Sequence, residues 1–364
     1  MFIKNTWYVA AWDNEVTRDG LFSRTIIGTP ILMYRTSDDR LTAMEDRCCH
    51  RGAPLSVGRR EGDCVRCGYH GLKFDAAGQC IEAPAQPRIP PQAKVRTFPV
   101  VQQHRWVWIW MGDPAKADPA LIPPTPWLDH PDWRSLDGYI HYDVHYLLIC
   151  DNLLDFSHLP FVHPATLGGG ADYAEHPPKV ERLDDGVRIT RWVLDTEPPP
   201  FVKAVKDWSG KVDRWNIYNF TIPAILIMDS GNAPAGTGAP EGHRIDAVEF
   251  RGCQAITPET ENSTHYFFAH PHNFSIDKPE VTRSIHQNIV AAFEEDRAII
   301  TAQQKNLALD TEFKMTPFAM DAALSQFRWV VARRLEQEAA EAAATAVPGA
   351  AQPIALHRRP LDHA

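Results

Sequence analysis

No run in this chain approaches the roughly 18 uncharged apolar residues that a bilayer crossing needs, although 44% of its 364 residues are apolar. Its start, Met1-Phe2-Ile3-Lys4-Asn5, does not have the form of a signal peptide. A soluble, cytoplasmic protein is the expectation. Basic charge is in short supply: 37 Lys and Arg stand against 46 Asp and Glu, for a formal charge of -9. No basic stripe with interleaved aromatics occurs either, so small molecules and other proteins are better partners than a nucleic-acid backbone. No G-x-G-x-x-G opens a β-α unit, and electrons from NAD(P)H would therefore have to arrive through a separate protein. Cysteine is scarce as well. The seven cysteines (48, 49, 64, 67, 80, 150 and 253) are odd in number and four fall between 48 and 67, which suits metal ligation in a reducing compartment better than a disulfide frame. Cys150 and Cys253 read as buried small hydrophobes.

What is present is two short hooks, Cys48-x-His50 and Cys67-x2-His70, separated by residues 51–66. Folded together they offer two sulfurs and two imidazole nitrogens, which suits a [2Fe-2S] centre with cysteines on one iron and histidines on the other. Zinc is the alternative, because Cys64-x2-Cys67 has finger-like spacing. Matched ligands, each hook followed by a glycine-containing turn, favour the two-iron cluster. Cys49 would place its thiolate directly beside the ligating His50, and only Cys67 gives C-x2-H, so Cys49 and Cys64 are left to loop packing.

A second constellation follows about ninety residues on: Asn152-x2-Asp155-x2-His158-x4-His163. Two histidines and a carboxylate form the facial set that leaves positions open on non-haem Fe(II), whereas structural zinc closes its shell. Asp155 is one possible carboxylate. The run Phe293-Glu294-Glu295-Asp296-Arg297 offers three more acids, and spacing does not choose among them.

Short strand-like runs separated by turn signals at 37–39, 61–63 and 77–78 predict a small all-β domain over 1–120, with both hooks in its loops. Prolines at 114, 119, 123, 124, 126 and 131 mark the boundary. Over 121–335 a larger domain is expected, with an antiparallel sheet and flanking helices. It would contain a strand over 142–148, a helix over 150–162 ending before Pro164, strands at 187–189, 215–217, 248–256 and 264–269, and a long helix over 280–307. The fold class is α+β. The tail, 336–364, is alanine-rich and then proline-bearing, and is expected to continue a helix before it frays into disorder. Cavity walls are sought in 222–229, 248–253 and 265–270, with Arg251, His265 or His270 available to an anionic substrate.

C-x-H, then C-x2-H, then N-x2-D-x2-H-x4-H resembles the terminal oxygenase component of the Rieske non-haem iron oxygenases. Asn5-Thr6-Trp7-Tyr8-Val9-Ala10-Ala11, Gly52-Ala53-Pro54-Leu55, Tyr69-His70-Gly71-Leu72, Asp151-Asn152-Leu153-Leu154-Asp155 and Phe293-Glu294-Glu295-Asp296 are similar to the branch of vanillate O-demethylase, dicamba O-demethylase and toluenesulfonate methyl-monooxygenase, the last most of all. The resemblance spans about residues 1–330. It implies that Cys48, His50, Cys67 and His70 hold the cluster and that His158, His163 and Asp296 hold the iron. Asp155 becomes a bridge, accepting a hydrogen bond from a neighbouring subunit's cluster histidine and orienting His158, while Asn152 sits near the iron without ligating it firmly. It further implies a head-to-tail homotrimer and a separate reductase or ferredoxin. Electrons would pass through His70 and Asp155 to an iron that hydroxylates a methyl or alkyl group of an aromatic substrate, giving O- or N-dealkylation or a hydroxymethyl product. Aromatic-ring cis-dihydroxylation uses the same metals and is the alternative enzyme. A non-catalytic Rieske electron-transfer protein is the alternative outside catalysis, though it would need only residues 1–120.

Overall fold

The structure, a computed structural model, describes residues 1–168, 172–310 and 312–345. The strand Trp106–Trp110 shows how its frame is joined. Successive side chains of a strand face opposite ways, and here both faces are buried. Trp106, Trp108 and Trp110 share a core with Ile225, Cys253, Ala255 and Phe267 of the large sheet, whereas Val107 and Ile109 pack with Ile31, Met33 and Ala43 of the small one. One strand thus serves two cores and fixes the two sheets to each other.

Trp106–Trp110 lies between Trp7–Trp12 and Val100–Gln103 in an antiparallel three-stranded sheet. Phe22–Ile26, Thr29–Arg35, Leu41–Glu45 and Thr97–Phe98 form a four-stranded sheet beside it, and Arg59–Glu61, Cys64–Arg66, Lys73–Phe74 and Cys80–Glu82 form another. The proline-rich stretch carries three short 3-10 turns, at Pro114–Lys116, Pro119–Leu121 and Pro126–Leu128, each with proline in its first turn, where no amide donor is missed.

The large sheet has seven strands, in the order Gly138–Tyr142, Ser263–Ala269, Val248–Thr260, Ile225–Pro234, Val212–Thr221, Gly186–Thr196 and Lys179–Arg182. All of its pairings are antiparallel. Helices Tyr146–Leu154, Pro279–Leu309 and Ala322–Thr345 cover one face, with Ile285, Ile289, Phe293 and Phe327 in a common core with Tyr218, Phe220 and Tyr266. The expected α+β architecture is therefore the observed one. Among the described residues no helix is long and apolar enough to cross a membrane.

Two local expectations need correction. The strand expected over 142–148 ends at Tyr142, and a helix begins at Tyr146 because the His145 ring accepts a hydrogen bond from Leu147 N at 3.3 Å. The helix expected over 150–162 is interrupted: Asp155 is extended, with φ -132° and ψ 99°, and its carboxylate caps the next turn through Ser157 N at 2.9 Å. The last helix continues past Glu336, to Thr345. Glu338 accepts from Lys4 N and Asn5 N at 2.8 Å each, and Glu341 pairs with Lys116 at 2.6 Å. Residues 346–364 lie outside the described residues.

Candidate functional site

The two cysteine-histidine hooks are the same turn. Cys48 N donates to Ala53 O at 2.8 Å and Gly52 N to Cys48 O at 2.9 Å; Cys67 N donates to Leu72 O at 2.8 Å and Gly71 N to Cys67 O at 3.1 Å. Gly52 and Gly71 hold φ of 73° and 74°, a left-handed conformation that costs glycine nothing. Cys48 and Cys67 are therefore equivalent positions, although one hook reads C-x-H and the other C-x2-H. Both cysteines are buried, while the rings of His50 and His70 are exposed, with centroids 4.6 Å apart. Burial, with Cys67 adding to it, pushes the Cys48 thiol up to about 11, a penalty that coordination to a metal removes. Two thiols inside and two imidazoles outside fit a cluster whose histidine iron faces the surface. Cys49 is exposed and Cys64 lies on a strand, so neither occupies the matched position.

Each hook is held by a charged side chain. Asp46, 6% exposed, accepts from Ser23 Oγ at 2.7 Å, Ser56 N at 2.7 Å and Ser56 Oγ at 2.6 Å, closing the first loop. Arg66 donates to Gly71 O at 2.7 Å and bridges Glu61 and Glu82, closing the second.

The second constellation depends on the break at Asp155. Asn152 lies in the last turn of Tyr146–Leu154, His158 in the 3-10 turn Phe156–His158, and His163 at the end of Leu159–Val162. Asp296 reaches them from the middle of Pro279–Leu309. One ligand atom from each of His158, His163 and Asp296 lies within 4.8 Å of the others. Asp296 Oδ1 is 3.1 Å from His163 Nε2, 3.5 Å from His158 Nε2, and accepts from Asn152 Nδ2 at 2.9 Å. Two nitrogens and one oxygen converge on one point beside a cavity, the donor set of a mononuclear iron with open positions.

The acidic run on the long helix divides its labour. Asp296 faces the histidines, Glu295 accepts from His163 Nδ1 at 2.7 Å, and Glu294 pairs with Arg297. The His158 Nδ1–H instead meets the main-chain oxygen of Asp155 at 2.6 Å. Asp155 thus orients His158 through its main-chain carbonyl, while its carboxylate accepts from Ser157 N and Oγ. Burial lowers the pKa of His158. At His163 burial acts in the same direction, but hydrogen bonds with Asp296 and Glu295 outweigh it and raise the value.

The cavity lies between the sheet and the helices. Asn216, Ser230 and Phe250 are successive cross-strand neighbours and line it together, while Phe156, Ile289 and Phe293 close it from the helical side. Of the three expected anion-binding residues only His270 faces it. Arg251 is one step out of phase with Phe250 and donates to Asp229 at 2.8 Å, and His265 is held between Tyr139 Oη at 2.9 Å and Thr25 O at 3.0 Å. Polar wall residues missed by the sequence reading are Arg214, Asn216, Ser230, Gln254 and Asn288.

Residues 6–99 match the Rieske [2Fe-2S] domain and residues 142–337 the vanillate O-demethylase oxygenase C-terminal domain. The chain is 51% identical over 342 residues, 93% of its length and 98% of the relative's, to the iron-sulfur subunit of a toluene-4-sulfonate monooxygenase system of Comamonas testosteroni. It is 35% identical over 354 residues, covering 94% and 98%, to a vanillate O-demethylase oxygenase subunit of a Pseudomonas species. The crystal structure of dicamba monooxygenase bound to dicamba superposes with a TM-score of 0.85 at 32% identity, covering 93% of this chain and 99% of that one.

Proposed function

This chain belongs to the Rieske-domain terminal oxygenases of the vanillate, dicamba and toluenesulfonate monooxygenase family, and from that membership we propose how its own residues serve the reaction. It is the oxygenase component of a Rieske-type non-haem iron monooxygenase, acting on a methyl or alkyl group of an aromatic substrate. Cys48, His50, Cys67 and His70 would hold the cluster, and His158, His163 and Asp296 the iron. When bound, these groups supply single electrons and activation of dioxygen.

The observation that carries the reading is the convergence of His158, His163 and Asp296 on the wall of a largely apolar cavity. Phe156, Phe250, Ile289 and Phe293 would hold an aromatic ring and exclude water. Tyr266 Oη donates to Gln254 Oε1 and the Gln254 amide nitrogen lies 3.5 Å from His270 Nε2, so the second N–H of the amide is the donor left to suit an acceptor oxygen such as that of a sulfonate or carboxylate. A methylated aromatic anion is the substrate class this arrangement favours. One oxygen atom enters a C–H bond of the methyl and the other leaves as water, so electrons and protons must reach the site. On an O- or N-methyl the product is a hemiacetal or hemiaminal that releases formaldehyde; on a ring methyl the alcohol is final. Asn152 would steady Asp296 beside the reacting group.

The electrons would come from NAD(P)H through a separate reductase, and a head-to-tail homotrimer would carry them from the His70 of one subunit to the Asp155 of the next. A cytoplasmic location would supply that reductant and keep the cysteines out of disulfides. The test is a screen of methylated aromatic sulfonates, methoxybenzoates and N-alkyl aromatic amides with a reductase, reading formaldehyde and hydroxymethyl products. Ring diols alone would replace this reading with dihydroxylation. A fully active monomer in a sedimentation-resolved assay would remove the intersubunit route.

A further inference from the structure

A histidine that binds a metal through Nε2 must keep its proton on Nδ1, and the partner of that proton fixes both the tautomer and the basicity of the ligand. The two candidate ligands have unequal partners. His158 Nδ1 meets a neutral acceptor, the carbonyl of Asp155. His163 Nδ1 meets Oε2 of Glu295, and the same oxygen accepts from Thr166 Oγ1 at 2.8 Å. Glu295 and Asp296 are consecutive on one helix, so their side chains leave its axis about 100° apart. One reaches the Nδ1 edge of the His163 ring and the other the Nε2 edge. The ring is 1% exposed and gripped from both sides by a single helical step.

We propose that Glu295 is a positioning residue that fixes the His163 tautomer and sets the metal affinity of the mononuclear centre, with Thr166 aiming its carboxylate. The inference rests on the reading that His158, His163 and Asp296 hold the metal. It makes the centre asymmetric: His163 is the anchored and more basic ligand, and His158 the weaker. The second negative charge also balances a divalent ion that Asp296 alone would leave half neutralised.

The test uses the full chain with its cluster intact and the mononuclear metal removed by chelation, titrated with Co(II), whose ligand-field absorption reports the ligand set. Glu295→Gln should weaken Co(II) binding by about tenfold to a hundredfold and shift the ligand-field bands, with the cluster spectrum unchanged. Thr166→Val should weaken binding by a smaller factor, and Thr166→Ser should restore it. Wild-type affinity and bands in Glu295→Gln, while His163→Ala abolishes binding, would overturn the role of Glu295 and leave the centre in place. Should Glu295→Gln lose its cluster spectrum, wild-type binding by Thr166→Val would overturn the proposal instead. Equal binding by His163→Ala and the unsubstituted chain would remove the centre itself.

Discussion

Asp155→Asn separates holding the mononuclear centre from feeding it. The carboxylate caps the turn Phe156–His158 through Ser157 N at 2.9 Å and Ser157 Oγ at 2.8 Å. Asparagine caps as well as aspartate, so the exchange should cost no more than about 0.5 kcal/mol, against about 1 kcal/mol for alanine. The unfolding midpoint should therefore move by roughly 2 °C or less. The bond that orients His158 comes from the Asp155 carbonyl at 2.6 Å, which the substitution leaves untouched, and iron should be retained. What changes is the second oxygen, Oδ2, which accepts from Ser157 Oγ and keeps a further lone pair. With Oδ1 still engaged by Ser157 N, the amide would present an N–H donor at the position of Oδ2, where the proposed bridge needs an acceptor for the neighbouring subunit's imidazole. A charge-assisted hydrogen bond contributes about 1.5 to 3 kcal/mol, which corresponds to roughly a tenfold to hundredfold loss of turnover if the bond lies on the electron route. Metal analysis, cluster absorbance and reductase-coupled product formation should be measured on the same preparation. Full coupled turnover with both metals present would refute the bridge, and loss of iron would refute the carbonyl's role in orienting His158.

Alanine at His158, His163 or Asp296 should lower iron from about three to two per chain while sulfide stays at two, read by anaerobic metal and sulfide analysis; retained iron in Asp296→Ala would move the carboxylate role to Glu294 or Glu295. Asp46→Ala removes an acceptor with three close donors and should cost about 2 to 3 kcal/mol, seen as earlier bleaching of the cluster on heating with the mononuclear site still able to take metal. Phe327, fully buried and edge-on to Phe220 at 4.7 Å, should cost about 3 to 5 kcal/mol on truncation to alanine; an unchanged melting curve would mean that the C-terminal helix is not part of the core.

The legible parts of the fold were those with strong local signals. The continuous apolar run at 106–110 and the helical period at 280–307 placed the strand Trp106–Trp110 and the helix Pro279–Leu309. The hooks were legible because spacing and glycine are properties of the chain itself. The 150–162 segment misled because its apolar spacing is continuous across Asp155, and the side-chain cap that ends one helix and starts another is a three-dimensional event. Alanine content allowed a helix beyond Glu336 but not its anchors, since Lys4, Asn5 and Lys116 are more than two hundred residues away in sequence. The cavity wall could have been read more closely. Phe250 and Gln254 point in while Arg251 points out, as the two-residue period of a strand requires. Spacing alone did not choose Asp296 from three adjacent acids; the family resemblance implied it, and the packing of the long helix is what brings its carboxylate to His158 and His163.

The most direct test is product analysis under labelled dioxygen with a methylated aromatic sulfonate and a competent reductase. Monooxygenation in this cavity predicts a hydroxymethyl product that carries a single labelled oxygen, with the other atom in water and the ring carbons untouched. Labelled hydroxyls on two adjacent ring carbons would contradict it.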